Sequence, residues 1–411
     1  MKTIIFIGTN KSGSSREALK TAERLGYFTV VFTQNKKQIK QRKEYTEVHE
    51  MIYVDMNDLT KMKEEINKLL LRGKDIKTIV SFIDSYVYIA SILCEEYCHN
   101  YSSPTANKIM EDKLETRLFL KDQPYTPKFL IINPNEPFSL ETMDFAFPVM
   151  VKFPKSTGSK DVLFASDSRQ LEKQLADLQE KNPDEMIIIE EYIEGDQYLV
   201  EALVYKSKIH IAGIMEQEIT KGERFIITGY GVLAKAPTEI KKEIEDVLKS
   251  VVLQLDIKDG ALHLELRRTN NGWKLIEINP RISGGAMNSM LQAAFGFNLV
   301  EETLKLYLGK TPSLVKKCSN YVFTQYVIVS NKGTLEKITG KNKALKSPGV
   351  VEVYVKPKKG TVLTPPLSMG HRYAYVIAAA ESMAEAKKLA KSAANKITFH
   401  LNSSKTKTTP D

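Results

Sequence analysis

Cysteine is scarce in this 411-residue chain: Cys94, Cys98 and Cys318 are the only three. An odd number without framework spacing excludes a disulfide-stapled domain and suits a reducing compartment, so a cytoplasmic location is expected. Cys94 and Cys98 stand at i, i+4 in "CEEYC", with His99 beside them. A metal site is conceivable there, but free cysteines of this kind usually pack in a core, and packing is the expectation. No apolar run reaches the ~18 residues of a membrane span, so no membrane partner is expected. The opening "MKTIIFIGTN" is basic and then apolar. Its apolar core is too short for a signal peptide and no small-residue cleavage site follows, so it reads as a first strand. Nucleotide signatures are missing too. "GTNKSGSS" (8–15) is neither G-x-G-x-x-G nor G-x-x-x-x-G-K-[ST]. The net charge of +9 raises the question of nucleic acid, but the lysines are spread along the chain. No zinc-finger, helix-turn-helix or ribonucleoprotein motif accompanies them, so no nucleic-acid partner is expected. There are no internal repeats.

What is present is a globular composition, 42% hydrophobic and 27% charged, in a chain too long for one ordinary core. The expected fold is α/β and α+β multidomain. Residues 1–105 alternate strand and helix: "TIIFIG", "FTVVFTQ", "EMIYVD" and "IKTIVSFID" against "SSREALKTAERLG", "LTKMKEEINKLLLRG" and "VYIASILCEEYC". That order implies a parallel sheet covered by helices, a Rossmann-like N-terminal domain, with Ser81 to Ser85 facing a ligand crevice. Residues 106–310 read as a central domain. It opens with one helix, "NKIMEDKLETRLFLKDQ", and closes with another from about 287 to 307. Residues 311–411 read as a small α+β C-terminal domain, with the polar "NSSKTKTTPD" as a disordered tail.

Four stretches could carry chemistry. In "GALHLELRRTNNGWKLIEINPRISGG" (260–285), two strands flank an "NNG" turn. Glu277, Asn279 and Arg281 recur at every second position and so share a face. Antiparallel pairing brings Glu265 close to them, and like charges at that range need a cation between them. Two carboxylates and an amide oxygen suit Mg²⁺, with Arg281 as a fork for phosphate or an oxyanion. The plainer reading is a surface hairpin with a Glu–Arg pair. In "VMVKFPKSTGSKD", Lys152 interrupts an apolar strand and needs an anion. Ser156, Thr157, Gly158, Ser159 and Lys160 then make a loop able to fold over phosphates, or an ordinary hairpin turn. Lys113, in "MEDKLETR", is a third cation, though helix lysines are usually solvated. "IIIEEYIEGDQYLVE" could dock a purine edge at its strand exit, or be an ordinary core strand.

In this order (Lys113, Lys152 with its glycine loop, Glu190-Glu191-Tyr192-Ile193, Glu265, Glu277-x-Asn279-x-Arg281) the residues resemble the ATP-grasp superfamily over about residues 100–310. The preceding Rossmann-like domain fits as well. "GALHLELR" and "EINPRISGG" look like the versions in the L-amino acid ligases, which join two amino acids into a dipeptide. The resemblance implies an ATP-grasp central domain with a mobile lid at about 145–202, ATP as cofactor, and Mg²⁺ with Mn²⁺ as an alternative. It implies that Lys113 and Lys152 hold phosphates, with Ser156 to Lys160 over them. Glu190, Glu191 and Ile193 would border the adenine, and Gln197 would stand where a ribose-binding glutamate is common. Glu265, Glu277 and Asn279 would bind the metal and Arg281 would be catalytic. Ser283, Gly284 and Gly285, with Arg281, would shape the first-substrate site. For the substrate amino group, Glu216, Glu218 and Glu223 stay open alternatives. Tyr373 and Val376 are expected near the second substrate. Amino acids are the implied partners, a homodimer is allowed, and a role in peptide antibiotic synthesis is implied by the family alone. Rival readings are another ATP-grasp ligase, of the carboxylase or purine-pathway type, and a nucleotide-sensing binding protein.

Overall fold

The computed structural model describes residues 1–134, 136, 138–154, 162–221 and 225–402. The first unit runs β1 (Lys2–Ile7), α1 (Ser14–Arg24), β2 (Phe28–Thr33), α2 (Lys36–Lys40), β3 (Glu50–Tyr53), α3 (Leu59–Leu71), β4 (Asp75–Val80) and α4 (Val87–Tyr97). Its strands pair in the order β3-β2-β1-β4, all parallel, as the alternation implies. β1 is buried along nearly its whole length because helices cover both faces of such a sheet. Cys94 packs in this core and Cys98 is half-buried at its edge. Among the described residues no three His, Cys, Asp or Glu side chains cluster as a metal site, and no helix is long and apolar enough to cross a membrane.

The single helix expected after residue 105 is two, α5 (Pro104–Glu111) and α6 (Lys113–Phe119). Asp112 breaks it: its carboxylate accepts from the N–H groups of Leu114 and Glu115 and caps α6. Then follow β5 (Phe129–Ile132), β6 (Val149–Lys152), β7 (Val162–Ala165), α7 (Ser168–Lys181) and β8 (Ile187–Glu191). These four strands form an antiparallel sheet, β5-β8-β6-β7. Leu171, Leu175 and Leu178 of α7 share a face and pack on Val149, Val151, Ile187 and Ile189. The lid sheet therefore starts earlier than residue 145 and ends at Glu191.

Next come β9 (Asp196–Tyr205), β10 (Lys208–Lys221), β11 (Phe225–Val232), α8 (Thr238–Gln254), β12 (Gly260–Thr269), β13 (Gly272–Asn279), α9 (Met287–Phe295) and α10 (Leu299–Tyr307). The expected 287–307 helix is broken where Gly296 turns left-handed, at φ +80°, and Asn298 caps α10. The last elements are β14 (Tyr321–Val327), β15 (Gly333–Thr339), α11 (Lys341–Leu345), β16 (Val350–Val355), β17 (Val362–Leu363), β18 (Ala374–Ala380), α12 (Met383–Ala394) and β19 (Thr398–Asn402). Three of these strands join the central ones in an eight-stranded sheet, β13-β12-β9-β10-β11-β14-β18-β16. The expected border at 310/311 thus falls between two parts of one sheet. α8 covers one face through Ile240, Ile244, Leu248 and Val251. α9 covers the other, where Met290, Leu291 and Phe295 pack on Leu199 and Met215.

Gly195, in the turn between the two sheets, has φ +147°, and a Cβ there would lie 1.9 Å from the Arg268 carbonyl oxygen. Gly195→Ala is expected to destabilise the protein by about 3 kcal/mol through backbone strain and overpacking, measurable by urea unfolding.

Candidate functional site

The β12–β13 hairpin sets Glu265 directly opposite Glu277, and His263 opposite Asn279. Each carboxylate has protein partners. Gln197 Nε2 donates to Glu265 Oε2 at 2.9 Å, and Arg267 Nε donates to Gln197 Oε1 at 3.0 Å. Asn279 Nδ2 donates to Glu277 Oε1 at 3.1 Å, and Lys113 Nζ stands 3.5 Å from the same oxygen. Burial opposes ionisation of Glu277, but Lys113 and the Asn279 amide hold its pKa below the ordinary value. The side-chain oxygens of Glu265, Glu277 and Asn279 are hard donors, and this set fits a small divalent cation such as Mg²⁺.

Behind this pair runs a buried polar chain that the sequence did not reveal. His263 Nδ1 is 2.7 Å from Glu201 Oε1, and His263 Nε2 is 3.8 Å from Glu265 Oε1. Burial disfavours the charged ring, but Glu201 and Glu265 outweigh it and push the His263 pKa up to about 10. Glu201 also accepts from the Ser283 N–H at 3.2 Å and from the Ser283 hydroxyl. Ser283, expected at a substrate, is buried and spends its hydroxyl on Glu201. Its carbonyl accepts from Ser14 Oγ at 2.6 Å, so α1 of the first unit props this loop. Gly284 has open space where a Cβ would sit, and Gly285 faces the Tyr326 hydroxyl at 3.7 Å.

Lys152 does have an anion, and it is internal. Its Nζ lies 2.6 Å from Glu190 Oε2, while Arg117 Nε lies 2.8 Å from Glu190 Oε1. Arg117 also donates to the Ile276 carbonyl at 2.8 Å, tying the lid sheet to the hairpin. The Glu190 carboxylate, expected beside an adenine, is closed between two cations. Burial raises its pKa, but Arg117 and Lys152 more than offset that and bring it to about 2. Burial depresses Lys152 to about 8, with Glu190 opposing. Sequence reasoning missed Arg117; its one signal is the i+4 spacing from Lys113, which puts both cations on one helix face. Glu191 accepts from the Lys128 N–H at 2.9 Å.

Between the two sheets lies a cavity lined by Met150, Ile193, Ile226, Ile227, Ile276 and Met369, with Lys113, Lys152, Gln197, Glu265 and Glu277 along one side. Ser156 to Lys160 and Glu223 lie outside the described residues. A second cavity opens beyond Glu277 and Asn279, lined by Asp84, Ser85, Tyr88, Glu111 and Lys113. Arg281 pairs with Asp84, a residue of the first unit that lines it. Burial pushes Glu111 up to about 7. Glu216 and Glu218 leave the opposite face of β10 from Met215, which shares the Glu265 face, and Glu218 pairs with Lys391 at 2.8 Å and with Lys387. They do not face the paired carboxylates. Val376 is fully buried, and Tyr373 bonds the Thr364 backbone, so neither faces these cavities.

An ATP-grasp N-terminal domain model matches residues 19–97, an ATP-grasp domain model 145–289, and an L-amino acid ligase C-terminal domain 2 model 325–402. The chain thus carries ATP-grasp domains, and through them it resembles the ATP-grasp superfamily. Within it, the L-amino acid ligases are the group it resembles. An L-arginine-specific L-amino acid ligase of Bacillus subtilis is 24% identical over 326 residues, covering 77% of this chain and 78% of that one. An uncharacterised Sinorhizobium fredii protein, y4rH, is 25% identical over 265 residues, or 63% of this chain, and the match spans 54% of its length. The crystal structure of an L-amino acid ligase from Bacillus licheniformis superposes with TM-score 0.81 at 18% identity, over 98% of this chain and 99% of that one. That likeness is one of fold.

Glu190→Ala would strand two buried cations, and a loss of about 3–5 kcal/mol is expected in urea unfolding. Because the Glu190 pKa is about 2 against an ordinary 4.5, its contribution is complete above pH 4.5 and falls away as pH drops toward 2. A pH series of unfolding midpoints on wild type and Glu190→Gln should show that component only in the wild type.

Proposed function

We propose that the protein is an ATP-dependent carboxylate–amine ligase that joins two L-amino acids into a dipeptide. One observation carries this reading: Glu265 and Glu277 face each other across a hairpin, with Lys113 beside them and Arg281 one step along, at the end of a cavity suited to a nucleotide. ATP would lie with its base against Ile193 and its phosphates toward Lys113 and Lys152. Mg²⁺ held by Glu265, Glu277 and Asn279 would supply charge neutralisation at the phosphates.

In the reaction the γ-phosphoryl group passes to a carboxylate oxygen of the first amino acid, leaving ADP and an acyl phosphate. The amine of the second attacks the acyl carbon and loses a proton, and the C–O bond to phosphate breaks. The protein's part is positioning and charge neutralisation. Arg281, aimed by Asp84, meets the charge that builds on the acyl phosphate. Asp84 and Glu111 offer carboxylates to an ammonium group in the second cavity. Gly284 and Gly285 leave room for the first side chain.

The test is phosphate release from Mg-ATP with each amino acid singly and in pairs, with peptide checked by mass spectrometry. Amino-acid-dependent release with a dipeptide mass is the expected result. ATP binding without such release would favour the nucleotide-sensing reading, and release with bicarbonate or a phosphorylated ribonucleotide would favour the other ligases. Arg281→Ala should lower turnover about 10²- to 10³-fold with ATP affinity retained. Glu277→Ala should raise the Mg²⁺ concentration needed for half-maximal rate; an unchanged requirement removes Glu277 from the metal site.

A further inference from the structure

The wall of the nucleotide cavity opposite the lid leads to a cation that the reaction above does not use. Arg372, just before β18, lies with its guanidinium 3.9 Å from the Tyr326 ring centre and 5.7 Å from that of Tyr230. It donates to the carbonyls of Met369 (3.2 Å) and Ile227 (3.5 Å) and to the Tyr230 hydroxyl (3.4 Å). Among the described residues no carboxylate comes within salt-bridge distance of it. A half-buried guanidinium stacked on aromatic rings keeps its charge and lacks a counter-charge, which favours an anion from outside.

A second observation falls at the same place. Gln217 stands directly opposite Tyr230 in the β10–β11 register, so both side chains leave one face. Both ends of the Gln217 amide are buried, and neither has a hydrogen-bond partner among the described residues. Buried amides left unpaired are costly and uncommon, so this one is well suited to a ligand that supplies the partner. Gln217 lines the nucleotide cavity, as do Ile227 and Met369, whose carbonyls hold Arg372. Tyr326, under the guanidinium, reaches toward Gly285 with its hydroxyl. The cluster thus lies between the nucleotide cavity and the glycine loop.

We propose that Arg372 and Gln217, with Tyr230, form a carboxylate subsite that holds the second amino acid. This rests on the ligase reading above. The first substrate's carboxylate is the group that reacts, so it belongs with the phosphates and Arg281. The second substrate carries its carboxylate through the reaction unchanged. A fixed guanidinium fork away from Lys113 and Lys152, joined by an amide N–H, suits an anion that must be held and not activated. Held there, the substrate would present its amine toward the acyl group at the glycine loop.

The test compares a second amino acid with its carboxamide, in the full-length enzyme with Mg-ATP and the first amino acid saturating. Wild type should prefer the carboxylate. Arg372→Met should raise KM for the second amino acid about 10- to 100-fold and erase the preference, leaving KM for ATP and for the first amino acid unchanged. Arg372→Lys, which keeps charge without the fork, should fall between. Gln217→Leu guards against a folding artefact. Replacing an unpaired buried amide by an apolar group should raise the thermal midpoint while it weakens the second substrate. Full carboxylate preference in both Arg372→Met and Gln217→Leu would overturn the subsite and leave the ligase reading standing. Absence of amino-acid-dependent phosphate release in wild type would overturn both.

Discussion

Glu190 is the joint on which the nucleotide cavity depends. One buried carboxylate on β8 binds Lys152 from the neighbouring lid strand and Arg117 from α6, and Arg117 in turn binds the hairpin backbone at Ile276. Without it two cations would face each other in a poorly solvated space. With it, the lid sheet and the large sheet are tied at the back of the slot, and Lys113, on the same helix as Arg117, is aimed at Glu277. In the proposed function the net positive charge of this cluster would be balanced by phosphates, so folding and ligand binding would share the same few side chains.

The paired carboxylates of the hairpin are steadied in a comparable way. His263 stands charged between Glu201 and Glu265, and Glu201 carries the connection on to the loop at Ser283. The metal-type donors and the glycine loop therefore share one polar frame, with Ser14 of the first unit bracing it from outside. Arg281 repeats the pattern by pairing with Asp84. One contact comes from the start of α1 and the other from the connection between β4 and α4, so the first unit braces the hairpin end and glycine loop of its neighbour.

Much of this was legible in the sequence where a local pattern fixes geometry. Alternation in "GWKLIEIN" puts Glu277 and Asn279 on one face, but the "NNG" turn sets the register only as far as Leu266↔Leu275, and a one-residue shift beyond it, which the sequence does not announce, brings Glu265 opposite Glu277. The parallel first sheet follows from its strand–helix order. Long-range partners were not legible. Arg117 looks like any helix arginine until Glu190, 73 positions away, is brought to it. Asp84 meets Arg281 across 197 positions. Strand parity separates Glu216 and Glu218 from Gln217, but which face matters is set by pairing with β9 and β12. The broken helices had signals in Asp112 and Asn298, both good caps, that helical periodicity masked.

The continuity of the large sheet beyond α10 changes what the last hundred residues are. β11 would be an edge strand were it not for β14, which pairs with it from Val232↔Val322 to Gly229↔Gln325. Open, flat edges recruit other chains, and proteins cover them for that reason. The C-terminal part thus moves the open edge of the sheet from β11 to β16, and it also bears Arg372. Because β14 hydrogen-bonds directly to β11, this part is continuous with the large sheet, so a substitution that displaces β14 would be felt in β11 as well.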